Sequence, residues 1–236
     1  MIDIGIVTHN RPEFLQICLE SIWANSPPDS YRLIIVDNSV GDEGATTQNY
    51  LYKNRDRFWR LLFNQTNNGW ADACNEAIAL MESEYVAIIG PDIVVQEGWM
   101  KLFDPLRHIK DLAFVGAISS KPIGDWRYQQ VDYPEHGFSL GYRNNATVIQ
   151  AIRLELLREL GGFQDFGSEY GQGADTDICL RAKDRGYKNA LHLGVTVDHL
   201  PDTVGNDPAY HAERQRQRVI AMERFKKAHD WRNQQA

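Results

Sequence analysis

Tyr85-Val-Ala-Ile-Ile-Gly-Pro-Asp-Ile-Val-Val95 is the stretch from which the rest of the chain can be read. Five apolar or aromatic positions run into Gly90-Pro91, and proline has no N–H to give to a strand ladder, so a strand ends at about Gly90. A second apolar run, Ile93-Val94-Val95, follows at once and leaves Asp92 alone between two greasy segments. An acid in that position either caps the turn or aims a carboxylate at a cation or ligand outside the carboxyl edge of a sheet.

Upstream, strands and helices alternate. Ile2 to Thr8 is apolar and β-branched, and His9-Asn-Arg-Pro12 then supplies a turn with proline at a first helical position. The periodicity predicts a helix from about Pro12 to Ala24, with Phe14, Leu15, Cys18, Leu19 and Ile22 inward. Tyr31 to Val36 is a second strand, stopped by Asp37-Asn-Ser39, which completes a βαβ unit. Gly41 to Arg57 has a weak helical pattern and Arg60 to Phe63 is a short strand. The loop Asn64-Gln-Thr-Asn-Asn-Gly69 leads into a helix from Trp70 to Met81, which carries Asp72 in its first turn. This order places Thr8 to Arg11, Asp37 and Asn38, Asn68 to Asp72, and Asp92 at carboxyl ends of strands, where open α/β sheets bind ligands.

Downstream, a helix to about Leu106 and a strand over Leu112 to Ala117 continue the alternation. Ser119 to Asn145 breaks it, being rich in Gly, Pro, Tyr and Trp without a period. It reads as acceptor-side loops in which Trp126, Tyr128 and Tyr133 either stack on a ligand or pack an irregular lobe. A strand over Ala146 to Arg153, a short helix over Glu155 to Leu160 and the turn Gly161-Gly-Phe163 come next. A helix then opens at Ala174-Asp-Thr-Asp177 and stops at Gly186. Asp175 and Asp177 lie about 200° apart on that first turn, so one can face a cleft while the other caps the helix or meets Arg181. Acids there also simply complement the helix dipole. The strand from Leu191 to Val197 delivers Asp198-His199, and from Pro208 a polar helix presents Val219, Met222 and Phe225 at helical spacing.

With 236 residues, 43% of them hydrophobic, the chain can bury one sizeable core. No apolar run approaches a bilayer span, and Met1 to Val7 lacks the basic start of a signal peptide, so a cytoplasmic protein is expected. Cys18, Cys74 and Cys179 are scattered singly and read as small buried residues, not as a disulfide or zinc framework. The net charge of −7 is uneven. Residues 209–236 hold seven Lys/Arg against three Asp/Glu, which leaves the body at −11. An acidic body argues against an extended nucleic-acid surface and leaves room for one local phosphate site and divalent cations. The basic tail could also touch an anionic membrane surface.

Taken together, these residues resemble the inverting GT-A glycosyltransferases of family 2, in particular the rhamnosyltransferase-like branch, over Ile2 to Leu200. The resemblance implies a mixed, mostly parallel central sheet with helices on both faces: an α/β, Rossmann-like fold. It divides the chain into a nucleotide-sugar half at 1–97, an acceptor half at 98–207 and a basic helix at 208–236. Thr8, His9, Asn10 and Arg11 match the family's first nucleotide loop, Asp37 and Asn38 its base- or ribose-holding strand end, and Asn68, Gly69 and Asp72, with Asn75 beyond, its Asn-x-Gly helix start. Pro91-Asp92 falls on the Asp-x-Asp motif, with Gly90 where a second acid is usual. Gly162 belongs to a Gly-Gly-Phe turn at donor and acceptor. Asp175 stands at the general base, with Ala174 where Glu is usual; Asp177 is expected to orient the acceptor, as is Trp126, and His199 sits at a late metal ligand.

The implied chemistry is metal-assisted single displacement from a nucleoside-diphosphate sugar, UDP- or dTDP-linked, onto a glycan or other hydroxyl acceptor. Asp92 and His199 would hold Mn²⁺ or Mg²⁺, and the imidazole favours Mn²⁺. Two alternatives remain beside it. The missing acids leave room for a non-catalytic nucleotide-sugar or glycan-binding module. A nucleotidyltransferase would share the alternation but should carry a Gly-rich basic loop where His9-Asn-Arg-Pro12 stands.

Overall fold

A computed structural model describes residues 1–119, 138–141, 149–200 and 208–230. Trp126, Tyr128 and Tyr133 lie outside them. The described strands are β1 (Ile2–Thr8), β2 (Tyr31–Asp37), β3 (Arg60–Phe63), β4 (Tyr85–Ile89), β5 (Ile93–Val95), β6 (Leu112–Ser119), β7 (Phe138–Gly141), β8 (Ile149–Arg153) and β9 (Lys188–His199). They form one sheet in the order β3-β2-β1-β4-β8-β6-β9-β5, with β7 also paired to β9. β1, β2, β3, β4, β6 and β9 run parallel, while β8, β5 and β7 run against their neighbours.

The mixed, mostly parallel sheet expected from the sequence is therefore present, with β8 slotted antiparallel between β4 and β6. β7 falls in the stretch read from sequence as loops, so that expectation is corrected there: the strand is completed by hydrogen bonds to β9, about 50 residues away in the chain, which leave no local period.

Helices α1 (Pro12–Asn25), α2 (Gly41–Lys53), α3 (Trp70–Leu80), α4 (Asp104–His108), α5 (Leu154–Glu159), α6 (Ala174–Asp184) and α7 (Pro208–Ala228) complete the described elements, with short 3₁₀ turns at 28–30, 55–57 and 99–103. Two apolar cores sit on opposite faces of the sheet. One joins Ile4 and Ile6 to Leu15, Cys18, Leu19 and Ile22 of α1 and to Trp99 and Phe103. The other joins Val7, Ile34 and Val36 to Cys74 and Ile78 of α3, Leu157 of α5 and Ile178 of α6. Burial on both faces is why β2 carries the unbroken apolar run Leu33 to Val36 instead of alternating. Cys18, Cys74 and Cys179 are buried as expected. Among the described residues no helix is long and apolar enough to cross a membrane.

β9 is longer than the sequence suggested, and its pairing with β6 jumps from Ala117↔His192 to Ile118↔Thr196. The residues bulged out at 193–195 bend the strand, and its far end then pairs with β5 as Ile93↔His199.

α7 also docks differently from its apolar spacing. Val219 is 49% exposed, while Gln217 and Ala221 are buried. The row at every fourth position, Gln217, Ala221, Phe225 and His229, faces the protein, because polar partners and not a hydrophobic stripe select the face.

Candidate active site

β1 and β2 end side by side, with Thr8 in register with Asp37 and the Asn38 N–H donating to the Thr8 carbonyl at 2.8 Å. Between β1 and Pro12 the backbone turns through Asn10 and Arg11, both left-handed at φ 55° and 53°. Such conformations cost about 1–3 kcal/mol each and persist where surrounding bonds impose them. Here the Asn10 N–H donates to Ser39 Oγ at 2.7 Å, and Asn10 Oδ1 accepts the Val40 N–H at 3.2 Å.

Asp37 is fully buried. Its Oδ1 accepts the Ser39 N–H at 3.0 Å, and its Oδ2 has no hydrogen-bond partner among the described residues. Burial pushes this carboxyl up; the Ser39 hydrogen bonds and the His9 ring pull it part of the way back. His9 is exposed just beyond the end of β1. Partial desolvation lowers the imidazole, against the opposing pull of Glu169 and Asp37. Glu169 was not singled out from the sequence. Its one signal there is being an acid inside the glycine-rich run 161–173.

A net of side-chain amides carries this edge across to α3. Asn38 Nδ2 donates to Asn67 Oδ1 at 3.3 Å and to the Gly69 carbonyl at 3.2 Å, while its Oδ1 accepts from Asn64 at 2.8 Å. Asn64 and Asn68 each donate to Glu76, at 2.6 and 3.0 Å. Asn67 donates to Glu169 Oε2 at 3.1 Å, and the Trp70 N–H donates to the Glu169 carbonyl at 2.9 Å. Asn38 is thus buried and engaged within the protein, so it shapes the loop beside any nucleotide. Gly69, at φ 82° before α3, takes a backbone shape that a side chain would strain. Asp72 is exposed on the first turn of α3, and its carboxyl is raised by partial desolvation and by the like charges of Asp165 and Glu76.

Beyond β4, Gly90-Pro91-Asp92 turns the chain into β5, and the pairing of β5 with the end of β9 sets Asp92 beside His199. The Leu200 N–H donates to the Asp92 carbonyl at 2.8 Å. His199 Nε2 lies 3.0 Å from Asp92 Oδ2, with the two side chains 20% and 35% exposed. A carboxylate and an imidazole converging at a sheet edge suit a borderline divalent cation. Among the described residues no third His, Cys, Asp or Glu completes a metal group, so water or ligand oxygens would supply the remaining positions. Gly90 gives its carbonyl to the Cys18 thiol at 3.6 Å; burial and the nearby Asp92 charge push that thiol up to about 12.

Asp175 sits half-buried on the first turn of α6. Its Oδ1 accepts the Thr176 N–H at 2.7 Å, and burial pushes its carboxyl above the usual range. Of the two roles expected of Asp177, orienting an acceptor or meeting Arg181, the geometry has the second. Asp177 is buried, one oxygen accepts from Arg181 at 2.6–2.7 Å and the other meets His229 Nε2 at 3.0 Å. Arg181 also donates to the carbonyls of Leu160 and Gly162.

Gly162 is likewise a structural position. At φ 69° a Cβ there would lie 2.3 Å from Asn75 Oδ1. Asn75 in turn holds the N–H and the carbonyl of Phe163, both at 2.8 Å. The Gly-Gly-Phe turn is therefore pinned between α3 and α6.

Residues 3–156 match the family model described as "Glycosyl transferase family 2". An uncharacterized protein of Sinorhizobium fredii, y4gI, is 26% identical over 98% of this chain, which spans 28% of that protein. Among solved structures, the mannosyltransferase PcManGT from Pyrobaculum calidifontis in complex with GDP-Man and Mn²⁺ superposes with a TM-score of 0.67 at 19% identity. That match covers 96% of this chain and 63% of the other. GalNAc-T7 with UDP, GalNAc and Mn²⁺ superposes at 0.70 with 16% identity, over 88% of this chain and 45% of the other. The chain spans less than two thirds of each of these proteins. With most of its sheet inside the matched region and its strand-end residues gathered on one edge, this chain belongs to glycosyl transferase family 2.

Proposed function

We propose that this protein transfers a sugar, with inversion, from a nucleoside-diphosphate sugar to a hydroxyl acceptor, a glycan in the first instance. The observation that carries the reading is the Asp92–His199 pair, 3.0 Å apart on the edge where Asp37 leaves a buried carboxylate oxygen unpartnered. Asp37, Thr8 and the strained loop His9-Asn10-Arg11 form the nucleotide end, held open by the Asn38 amide net. Gly69 and Asp72 border the phosphate side with the start of α3, and Pro91 fixes the turn that presents Asp92. Mn²⁺ bound in the structural neighbours suggests the ion that Asp92 and His199 would hold, where it would neutralise charge developing on the departing diphosphate.

In this reading the acceptor oxygen attacks the anomeric carbon from the face opposite the diphosphate. The new C–O bond forms as the bond to the phosphate oxygen breaks, and the acceptor's proton passes to Asp175. Burial raises the Asp175 carboxyl, which makes its ionised form a stronger base than an ordinary aspartate. The donor is UDP- or dTDP-linked, with the rhamnosyl branch carried by the dTDP option. GDP-mannose in one neighbour adds a GDP-sugar to those worth testing.

A panel of UDP-, dTDP- and GDP-sugars with Mn²⁺, read as donor hydrolysis and transfer, tests this directly. One donor should turn over, excess chelator should suppress it, and Asp175→Asn should lower kcat by about 10²–10⁴-fold. Full turnover in chelator would sink the metal assignment. Donor binding with no turnover in either protein would favour a binding module.

A further inference from the structure

We propose that His229, in the turn just past the end of α7, is a positioning residue for transfer: through Asp177 it clasps the first turn of α6 and holds Asp175 in place. The proposal rests on Asp175 acting as the base.

The Asp175 carboxylate is held only by Thr176 and its own N–H among the described residues, so its position is that of the helix turn which carries it. That turn is held at Asp177, whose N–H donates to the Gly173 carbonyl at 2.8 Å. The Asp177 carboxylate is shared between Arg181 from within α6 and His229 from α7. The Asp177 and His229 side chains are 2% and 11% exposed. His229 Nε2 must carry its proton to donate to a carboxylate, so the tautomer is set by the contact. The ring is fixed in turn, because the His229 N–H donates to the Phe225 and Lys226 carbonyls and the imidazole rests on Phe225 at 4.6 Å.

The clasp is one end of a longer strap. Gln217, Ala221, Phe225 and His229 recur every fourth residue and cover about 18 Å along α7. Gln217 Oε1 accepts the Glu169 N–H at 3.1 Å, Arg224 donates to the Phe166 carbonyl at 3.4 Å, and Phe225 meets Phe166 edge-on at 5.5 Å. On its other side the same segment, 163–173, is tied to α3 through Asn75 and Trp70. The segment that carries Glu169 and then opens α6 is thus held between two helices. The nucleotide end, on β1 and β2, does not touch α7 among the described contacts. Releasing the clasp should therefore affect the chemical step more than donor affinity.

His229→Ala and His229→Gln separate this role from bulk stability, since the glutamine amide can still donate to Asp177 and alanine cannot. In the alanine protein, hydrogen exchange over 163–184 should quicken by tenfold or more, kcat for the donor should fall about tenfold, and KM and nucleotide affinity should change less than twofold. The glutamine protein should recover most of both. Should the alanine protein not fold, His229→Asn, too short to reach Asp177, serves in its place with the same expectation. Wild-type exchange and kcat in the alanine or asparagine protein would overturn the proposal, as would a glutamine protein as impaired as alanine. If Asp175→Asn keeps wild-type turnover, the base assignment falls separately, and the claim that the clasp places a base falls with it. If Asp175→Asn is inactive and His229→Ala is unimpaired, the clasp alone is wrong.

Discussion

Asp3 and Asp37 stand at opposite edges of the same two strands, and each is fully buried. Asp3, at the start of β1, has every oxygen occupied. Arg32, its cross-strand neighbour, donates to both oxygens at 2.7 and 2.9 Å, the Glu82 and Ser83 N–H groups donate at 2.7 and 2.8 Å, and the Ser83 hydroxyl adds a fifth bond at 3.0 Å. The guanidinium is itself seated on Trp59, 3.5 Å from the ring centroid. Burial alone would raise Asp3, yet these donors hold its carboxyl below the usual range. Asp37, at the end of β2, has one oxygen satisfied and one without a partner among the described residues, and its carboxyl is raised. The amino edge has spent its polar groups on holding the sheet; the carboxyl edge keeps polar capacity for a ligand.

The largest effect expected from this contrast lies at the carboxyl edge. Asp92→Ala should lower transfer by about 10³-fold, roughly 4 kcal/mol of transition-state stabilisation. Its melting temperature should stay within a few degrees of wild type, because the side chain is partly exposed and the β5–β9 pairing uses backbone. A fully active Asp92→Ala protein would remove the metal from the reading.

Next, Asp3→Ala should destabilise the fold by about 3–5 kcal/mol in urea titration, since it takes the main partner from Arg32 and from two part-buried N–H groups. Nucleotide affinity in whatever remains folded should be unchanged.

Asp37→Asn should do the reverse. It should weaken nucleotide binding by roughly tenfold, about 1.4 kcal/mol, measured by calorimetry, with no loss of stability at neutral pH. An Asp37→Asn protein as unstable as Asp3→Ala would erase the difference between the two edges.

The smallest effect is in the acid titration of stability. The contribution of Asp3 is fully present above its ordinary value of 3.8 and is lost as pH falls through its depressed folded value. For Asp37 the sign is opposite. Its folded value is raised, so ionising it opposes folding as pH climbs above 3.8. The Asp37→Asn protein should therefore gain stability over wild type between acid and neutral pH, and the gain should vanish below 3.8. A gain that persists unchanged into acid would mean that Asp37 does not titrate as described.

The carboxyl edge of the sheet was legible in the chain because each of its parts is local. A short strand-like run rich in apolar residues and closed by Gly, Pro, Asn or Asp marks a strand end wherever it occurs, and Thr8, Asp37, Asn68 and Asp92 all follow from that rule. The acidic first turn of α6 was legible for the same reason, from acids after Gly173, while a base role for Asp175 came only from the family resemblance. What the chain alone left open is built from polar contacts between distant residues. His199 and Asp92, 107 positions apart, were linked only through the family resemblance. Their contact arises because β9 bulges at 193–195 and continues far enough to pair with β5.

By itself, then, the sequence determined the alternation of elements and the set of strand-end residues, since burial pattern and turn chemistry act over a few residues. Only the tertiary structure decided which way those residues face. It placed β8 antiparallel between β4 and β6 and brought Glu169 near His9. It also gave Asp177 to Arg181 and His229, and set α7 on the row Gln217 to His229 instead of Val219. A hydrogen bond between side chains fifty or a hundred residues apart depends on where the backbone has carried them, and it leaves no period for a local reading to find.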